Sequence, residues 1–267
     1  MKLFVCIKQV PDSRSVTAVN PDGTLNRAAM PAIVNPDDLT AMEIALLLKE
    51  KTEAEIIAIS MGPENAKKAL REVLAMGADR AYLISDREFG GSDTYATSQI
   101  LSSAIKFLGF GNDDMIICGR QAIDGDTAQV GPEIAEKLGI RQVTSVMNIC
   151  QSNSGYYEVK RKNDRGYTLV STKPPLLITC VKEAVKPRYM SINGIEKSIK
   201  EDIEILNYEK LKVTGLIGKE NIGFTGSPTK VFFSFTERKD CYCEYLNGNT
   251  KDAAEMLVKI IEERNII

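Results

Sequence analysis

Residues 56–84 read IIAISMGPENAKKALREVLAMGADRAYLI, two short apolar runs on either side of one amphipathic stretch. The runs at 56–60 (IIAIS) and 81–84 (AYLI) are apolar without alternation, the pattern of strands buried on both faces of a parallel sheet. Between them the sequence predicts a helix over 63–76, with Pro63 in its first turn and Gly77 just past its end. Ala66, Ala69, Leu70, Val73 and Leu74 recur at three- and four-residue spacing, so one face of that helix is made to lie on a sheet. Strand, crossover helix and strand in this order predict a βαβ unit.

The same rhythm extends outward in both directions. Further buried-strand runs stand at 3–8 (LFVCIK) and 115–118 (MIIC), and further helices are expected at about 37–50, 93–108 and 127–138. The fold class that follows is α/β, a doubly wound, mostly parallel, Rossmann-like sheet. From residue 143 the texture changes to β-rich runs at 143–150, 156–161, 167–173 and 176–181, with turn signals at Asn153-Ser154-Gly155 and Asn163-Asp164-Arg165-Gly166. They predict an added β-hairpin and a return strand extending the same sheet. Residues 183–230 read as loop-rich, and a strand at 231–235 and a helix at about 250–264 finish the chain. We expect a nucleotide-binding α/β domain over 1–205. Residues 206–267 are too thin for a core of their own and form a C-terminal arm that packs on this domain or on a partner subunit.

Composition limits the chemistry. The 267 residues are 43% apolar and 26% charged, with a net charge of −2, which gives no reason to expect nucleic-acid or membrane binding. Histidine is absent, which excludes Ser-His-Asp and Cys-His nucleophilic sites and histidine-ligated metals within the chain. We therefore expect a cofactor or a partner to supply the chemistry of any reaction the chain takes part in. Among six cysteines no C-x-x-C occurs, so no metal site is expected; Cys241-Tyr-Cys243 suits two surface thiols, with a metal or redox role as the alternative. The N-terminus reads as a strand and not as a signal peptide, no apolar run reaches the length of a membrane span, and free thiols suit a reducing, cytoplasmic setting.

The segment from Cys118 to Glu136, CGRQAIDGDTAQVGPEIAE, starts where a predicted strand ends and runs into a helix. In an open α/β sheet that crevice is where ligands bind. Gly125 and Gly131 let backbone approach a ligand, Asp126 or Thr127 can cap the helix, and free helix N–H groups suit a phosphate. Asp124 and Asp126 repel phosphate and better suit the turn or a ribose hydroxyl. The residues alone are equally compatible with a capped structural turn, and the spacing is neither G-x-G-x-x-G nor a P-loop. A second candidate is FGGSDTYATS at 89–98, where Gly90-Gly91 gives a flexible entry, Ser92 or Asp93 a helix cap, and Thr94 and Thr97 hydroxyls on the first turns.

GRQAIDGDTAQVGPEIAEKLG (119–139) is similar to the signature of electron-transfer flavoprotein beta subunits. VCIKQVPD (5–12), NPDDLTAMEIAL (35–46), residues 60–86, KPRYMSI (186–192) and GSPTKVFFSF (226–235) fall in that family's order. The family has a simple form, whose beta subunit holds AMP, and a bifurcating form with a second FAD in its place. QVPD at 9–12, the Gly90–Thr94 loop and GSPT at 226–229 resemble the bifurcating form.

The resemblance implies a heterodimer with an alpha subunit, into which the arm packs, and FAD that exchanges hydride with NAD(H). Electrons would pass to or from ferredoxin or flavodoxin and a flavin dehydrogenase, either an enoyl-CoA reductase or a lactate or 2-hydroxy-acid dehydrogenase. The dehydrogenase would dock on a recognition loop at 182–200, where Ala184 departs from the family's leucine. No side chain of the chain is expected to be catalytic in itself. The expected cofactor contacts are Cys6, Asn35, Asp38, Met61, Asp93, Thr94 and Thr97, followed along the signature by Gly119, Arg120, Gln121, Ala122, Asp124, Gly125, Asp126, Thr127, Ala128, Gln129, Val130 and Gly131. Two other readings stand beside it: a simple beta subunit holding structural AMP, and a stand-alone nucleotide-binding regulator.

Overall fold

The computed structural model describes residues 1–12, 31–152, 155–230, 243 and 245–264. They fall into two compact units, Met1–Thr229 and Lys230–Ile267. Residues 206–229 thus belong to the first unit, which ends beyond the expected boundary at 205.

In chain order the first unit contains β1 (Lys2–Cys6), β2 (Gln9–Pro11), β3 (Ala32–Val34), α1 (Pro36–Thr52), β4 (Glu55–Met61), α2 (Lys67–Met76), β5 (Arg80–Ile84), α3 (Thr94–Phe107), β6 (Met115–Gly119) and α4 (Val130–Leu138). There follow β7 (Arg141–Gln151), β8 (Tyr157–Asn163), β9 (Gly166–Thr172), β10 (Leu176–Cys180), α5 (Ile192–Lys200), β11 (Glu204–Leu206), α6 (Tyr208–Leu211) and α7 (Gly223–Gly226). The nine-stranded sheet runs β11-β5-β4-β1-β6-β10-β7-β8-β9. Every pairing from β11 to β7 is parallel, and β7-β8-β9 are antiparallel.

Successive side chains on a strand point to opposite faces, and the central strands are apolar on both. Leu3, Val5, Ile56, Ala58, Met115 and Ile117 pack under α1 and α2 on one face. Phe4, Ile57, Ile59, Ile116 and Leu177 pack under α3 and α4 on the other. Each fully buried large side chain here contributes about 1.5–3 kcal/mol. The doubly wound parallel sheet is therefore present as expected, with β8 and β9 as the added hairpin turning at Asn163–Gly166.

Three features go beyond the sequence reading. The return strand β10 joins the same sheet, and its place there, between β6 and β7, is one the sequence did not assign. Residues 183–230 are loop-rich but also hold a helix that was not expected: α5 lies on α2, tied by Arg71, whose guanidinium donates to the carbonyls of Ser198 and Glu201. Gly194 inside α5 faces Ala75 O so closely that no Cβ fits, so the glycine that reads as a breaker is a packing residue. Leu206, Leu211, Ile217 and Ile222 are buried against the α3 face. The short β2–β3 ribbon was not anticipated either.

In the second unit, α8 (Thr250–Glu263) is capped by Asn249, whose side chain accepts from the N–H groups of Lys251 and Asp252. The strand expected at 231–235, Cys241 and the turn residues Asn153 and Ser154 lie outside the described residues.

Candidate functional site

The chain leaves β1 toward β4 on one side and returns to β6 on the other, so the strand order reverses at the β1/β6 junction. The carboxyl ends of β1, β4, β5 and β6 open there into a cavity of about 640 Å³, a size typical of cofactor pockets.

One wall is the segment Gly119–Gly131. Asp38, in the first turn of α1, accepts from Lys8 N at 2.7 Å and from Gly119 N at 3.1 Å, fastening the ends of β1 and β6 to each other. That approach requires glycine at 119, because a Cβ there would lie 2.8 Å from Asp37 backbone and closer still to the Asp38 carboxylate. Burial pushes the Asp38 carboxyl up to about 7 despite its N–H donors, and burial also raises Asp37, opposed by the charge of Arg120. Asn35 is fully buried; its Nδ2 donates to Gln121 O (2.8 Å) and its Oδ1 accepts from Ile123 N (3.2 Å). It shapes the loop from behind. Asp124 pairs with Lys8 (2.7 Å), and Asp126 accepts from Gln121 Nε2 (2.7 Å).

The helix after this loop starts at Val130 and not at 127. Asp126 (φ 51°) and Ala128 (φ 54°) take left-handed conformations that interrupt it, an arrangement costly for a residue with a Cβ. Neither Asp126 nor Thr127 caps α4; Gln129 stands at the cap position without a side-chain bond. Among the described residues the N–H groups of Thr127 through Gly131 find no protein acceptor, which leaves a helix N-terminus of free donors at the cavity. Gly131 serves packing: a Cβ would meet Thr179 of β10 at 2.7 Å, whereas one on Gly125 would meet nothing within 4 Å.

The opposite wall is Ser85–Thr97. Asp93 caps α3, its Oδ1 accepting from Ala96 N at 3.0 Å, while Oδ2 accepts from Thr229. Burial raises its carboxyl, but the bonds from Thr229, Ala96 and Ser227 outweigh that and hold it below the ordinary value. Thr94 Oγ1 reaches Gln129 Oε1 (3.1 Å) and Glu133 Oε1 (3.3 Å), linking the two walls.

Of the expected site residues, Cys6, Asp38, Met61, Asp93, Thr94, Thr97, Gly119, Arg120, Gln121, Ala122, Gly125, Thr127, Ala128, Gln129, Val130 and Gly131 line this cavity; Asn35, Asp124 and Asp126 stand behind it. Phe89, which opens the candidate stretch 89–98, lines it too; Lys8, Ser85 and Asp86 also line it and were not among the expected contacts. Ser85 and Asp86 follow directly on β5, so the same strand-end rule applied there finds them.

The cavity thus lies at the switch point, with an uncapped helix start on one wall and hydroxyls on the other. Residues 22–211 match the model of the electron transfer flavoprotein domain. The chain belongs to the electron transfer flavoprotein family. It is 53% identical, over the whole of both chains, to a protein of Anaerotignum propionicum named acryloyl-CoA reductase electron transfer subunit gamma. It is 45% identical, again over both full lengths, to the electron transfer flavoprotein subunit beta of Thermoanaerobacterium thermosaccharolyticum. A caffeyl-CoA reductase-Etf complex subunit of Acetobacterium woodii, CarD, is 43% identical over all of both chains. The chain is thus a beta-type electron transfer flavoprotein subunit. No helix among its described residues is long and apolar enough to cross a membrane.

Proposed function

We propose that the chain is the beta subunit of an electron-bifurcating electron transfer flavoprotein and that its cavity holds FAD. The observation that carries this reading is the size and lining of the cavity. It holds about 640 Å³ and is lined from Cys6 and Gly119 past the free N–H groups of Thr127–Gly131 to the Gly90–Thr97 rim. The donor set suits the group. The α4 N-terminus would hold the phosphates, with Arg120 beside it, and Thr94 and Thr97 would offer hydroxyls to the rest. A flavin bound here supplies the redox chemistry, taking or giving hydride with NAD(H). The chain's own residues bind and orient it: Asn35 and Asp38 hold one wall, Asp93 the other, and apolar Ile59, Ile84 and Leu101 at the floor keep water out.

Electrons are proposed to pass to or from ferredoxin and a flavin dehydrogenase. The reductase names of two relatives favour an enoyl-CoA reductase over a 2-hydroxy-acid dehydrogenase. The docking surface proposed for it is 182–200, where Tyr189 and Ile192 are 87% and 86% exposed. Arg188 fixes this surface through its bonds to Glu43 and Glu50. Lys230–Ile267 is proposed to pack on the alpha subunit. Co-purification with that subunit, denaturation and quantification of released nucleotides test the reading. Two FAD per heterodimer are expected; one FAD with one AMP overturns it in favour of a simple electron carrier.

A further inference from the structure

Two short motifs separated by more than a hundred residues form a single latch at the cavity rim. One is the loop Phe89–Thr94, the other the strap Ile222–Thr229. Phe224 N donates to Gly90 O (3.0 Å), Gly223 N to Ser92 Oγ (3.1 Å) and Asp93 N to Ser227 Oγ (2.8 Å). Ser227 Oγ lies 2.7 Å from Gly223 O and 3.2 Å from Gly91 O, so one hydroxyl stitches both segments. Thr229 donates its N–H (2.9 Å) and its hydroxyl (2.7 Å) to Asp93 Oδ2. The backbones interlock as well: a Cβ on Gly91 would come within 3.1 Å of Phe224 Cβ, and one on Gly223 would strike Glu88 O.

None of these bonds touches the wall that binds the other end of the cavity. Gly119–Gly131 is held by Asn35, Asp38 and β10. Among the described residues the side-chain bonds from the latch toward it are those of Thr94, to Gln129 and, just beyond the wall, to Glu133. The cavity therefore has one end whose support is independent of the strap and one end whose shape depends on it.

We propose that Ser227 and Thr229 are positioning residues that set ligand length. By fixing the Asp93 main chain and carboxylate they place Thr94 and Thr97 on the rim, and so make the cavity fit a dinucleotide in preference to a mononucleotide. This rests on the reading of the cavity as a flavin site, and it adds a specificity role for residues that line no part of the cavity themselves.

The test uses the full chain co-expressed with its alpha subunit, as parent, Ser227→Ala, Thr229→Val and the conservative Thr229→Ser. FAD in excess of one per heterodimer and AMP are quantified after release. The affinity of the nucleotide-stripped site for FAD and for AMP is then titrated separately. Loss of the hydroxyl that holds Asp93 N in Ser227→Ala, and of the charge-assisted hydroxyl bond to the Asp93 carboxylate in Thr229→Val, is expected to weaken FAD at least about tenfold while AMP stays within about twofold, and Thr229→Ser restores FAD. Retained AMP affinity reports that the fold is intact. Equal weakening of FAD and AMP, or no change in either, overturns the positioning role. A parent complex carrying AMP and no second FAD overturns the flavin reading and the proposal together, and is seen before any variant is compared.

Discussion

The wall Gly119–Gly131 takes its support from the first helix of the fold, pressed against it inside the core, whereas the wall Ser85–Thr97 takes its support from a strap more than a hundred residues later, whose outer bonds, at Thr229, are exposed. In the first, Asn35 and Asp38 are buried and their bonds join strand ends to the loop. In the second, Asp93 and Thr229 meet where water reaches them. The difference teaches that one cavity can combine a wall whose loss undoes the sheet with a wall that can be loosened alone.

The strongest attack on that contrast is Gly119→Ala. A Cβ forced against Asp37 and Asp38 parts β1 from α1, and the expected loss is about 3 kcal/mol in urea unfolding of the whole first unit. Asn35→Ala strands Gln121 O and Ile123 N and is expected to lower global stability by about 2 kcal/mol. A cost near zero would mean that the loop stands by itself.

Protonation separates the walls by sign. The carboxyls of Asp38 and Asp37 are raised above the unfolded value of 3.8, so their contribution is fully present below that pH and is lost as pH rises through about 7 for Asp38. Between those limits stability falls by up to about 1.4 kcal/mol per pH unit, and Asp38→Asn flattens the profile. Asp93 is lowered, so its contribution is present above 3.8 and is lost as pH falls further. Denaturation curves across the acid range, with hydrogen exchange at 89–94, check both directions.

Asp93→Ala removes a helix cap at the surface and is expected to cost only about 1 kcal/mol globally, with exchange in Gly90–Thr94 rising more than elsewhere. A global loss equal to that of Asn35→Ala would erase the distinction between the walls. Gly125→Ala, with open space around its Cβ, is expected to stay within about 0.5 kcal/mol of the parent in unfolding. Its effect is read in nucleotide affinity instead.

How much of this was legible follows the same division. The first wall could be read because its parts carry local chemistry: an apolar strand, a glycine-bearing turn and a helix start within one short stretch. Its internal wiring could not. Asp126 and Ala128 adopt left-handed backbone that no propensity assigns to alanine, so the helix was expected to begin too early. Gly131 lines the cavity as its place in the signature suggests, but its lack of a Cβ serves packing against Thr179 as well. For the second wall the motifs GGSDT and GSPT each stood out, but hydrogen bonds across such a separation leave no periodic trace. In 183–230, glycine and proline density masked α5, where close packing on α2 overrides the helix-breaking tendency of Gly194. Strands of three residues, such as β2, β3 and β11, are too short for any period to show.

The insertion of β10 between β6 and β7 carries a consequence for the order in which the protein is made. Until Leu176–Cys180 leaves the ribosome, β6 presents a bare apolar edge, and the carbonyl of Cys180 that accepts from Arg120 N does not yet exist. At typical elongation rates residues 120–180 take roughly 3–12 s to synthesise. During that interval the nascent chain carries a half-built cavity beside an unpaired strand, the kind of edge on which chains pair with one another. Truncation before Leu176 is therefore expected to give a product that aggregates more readily than the full chain.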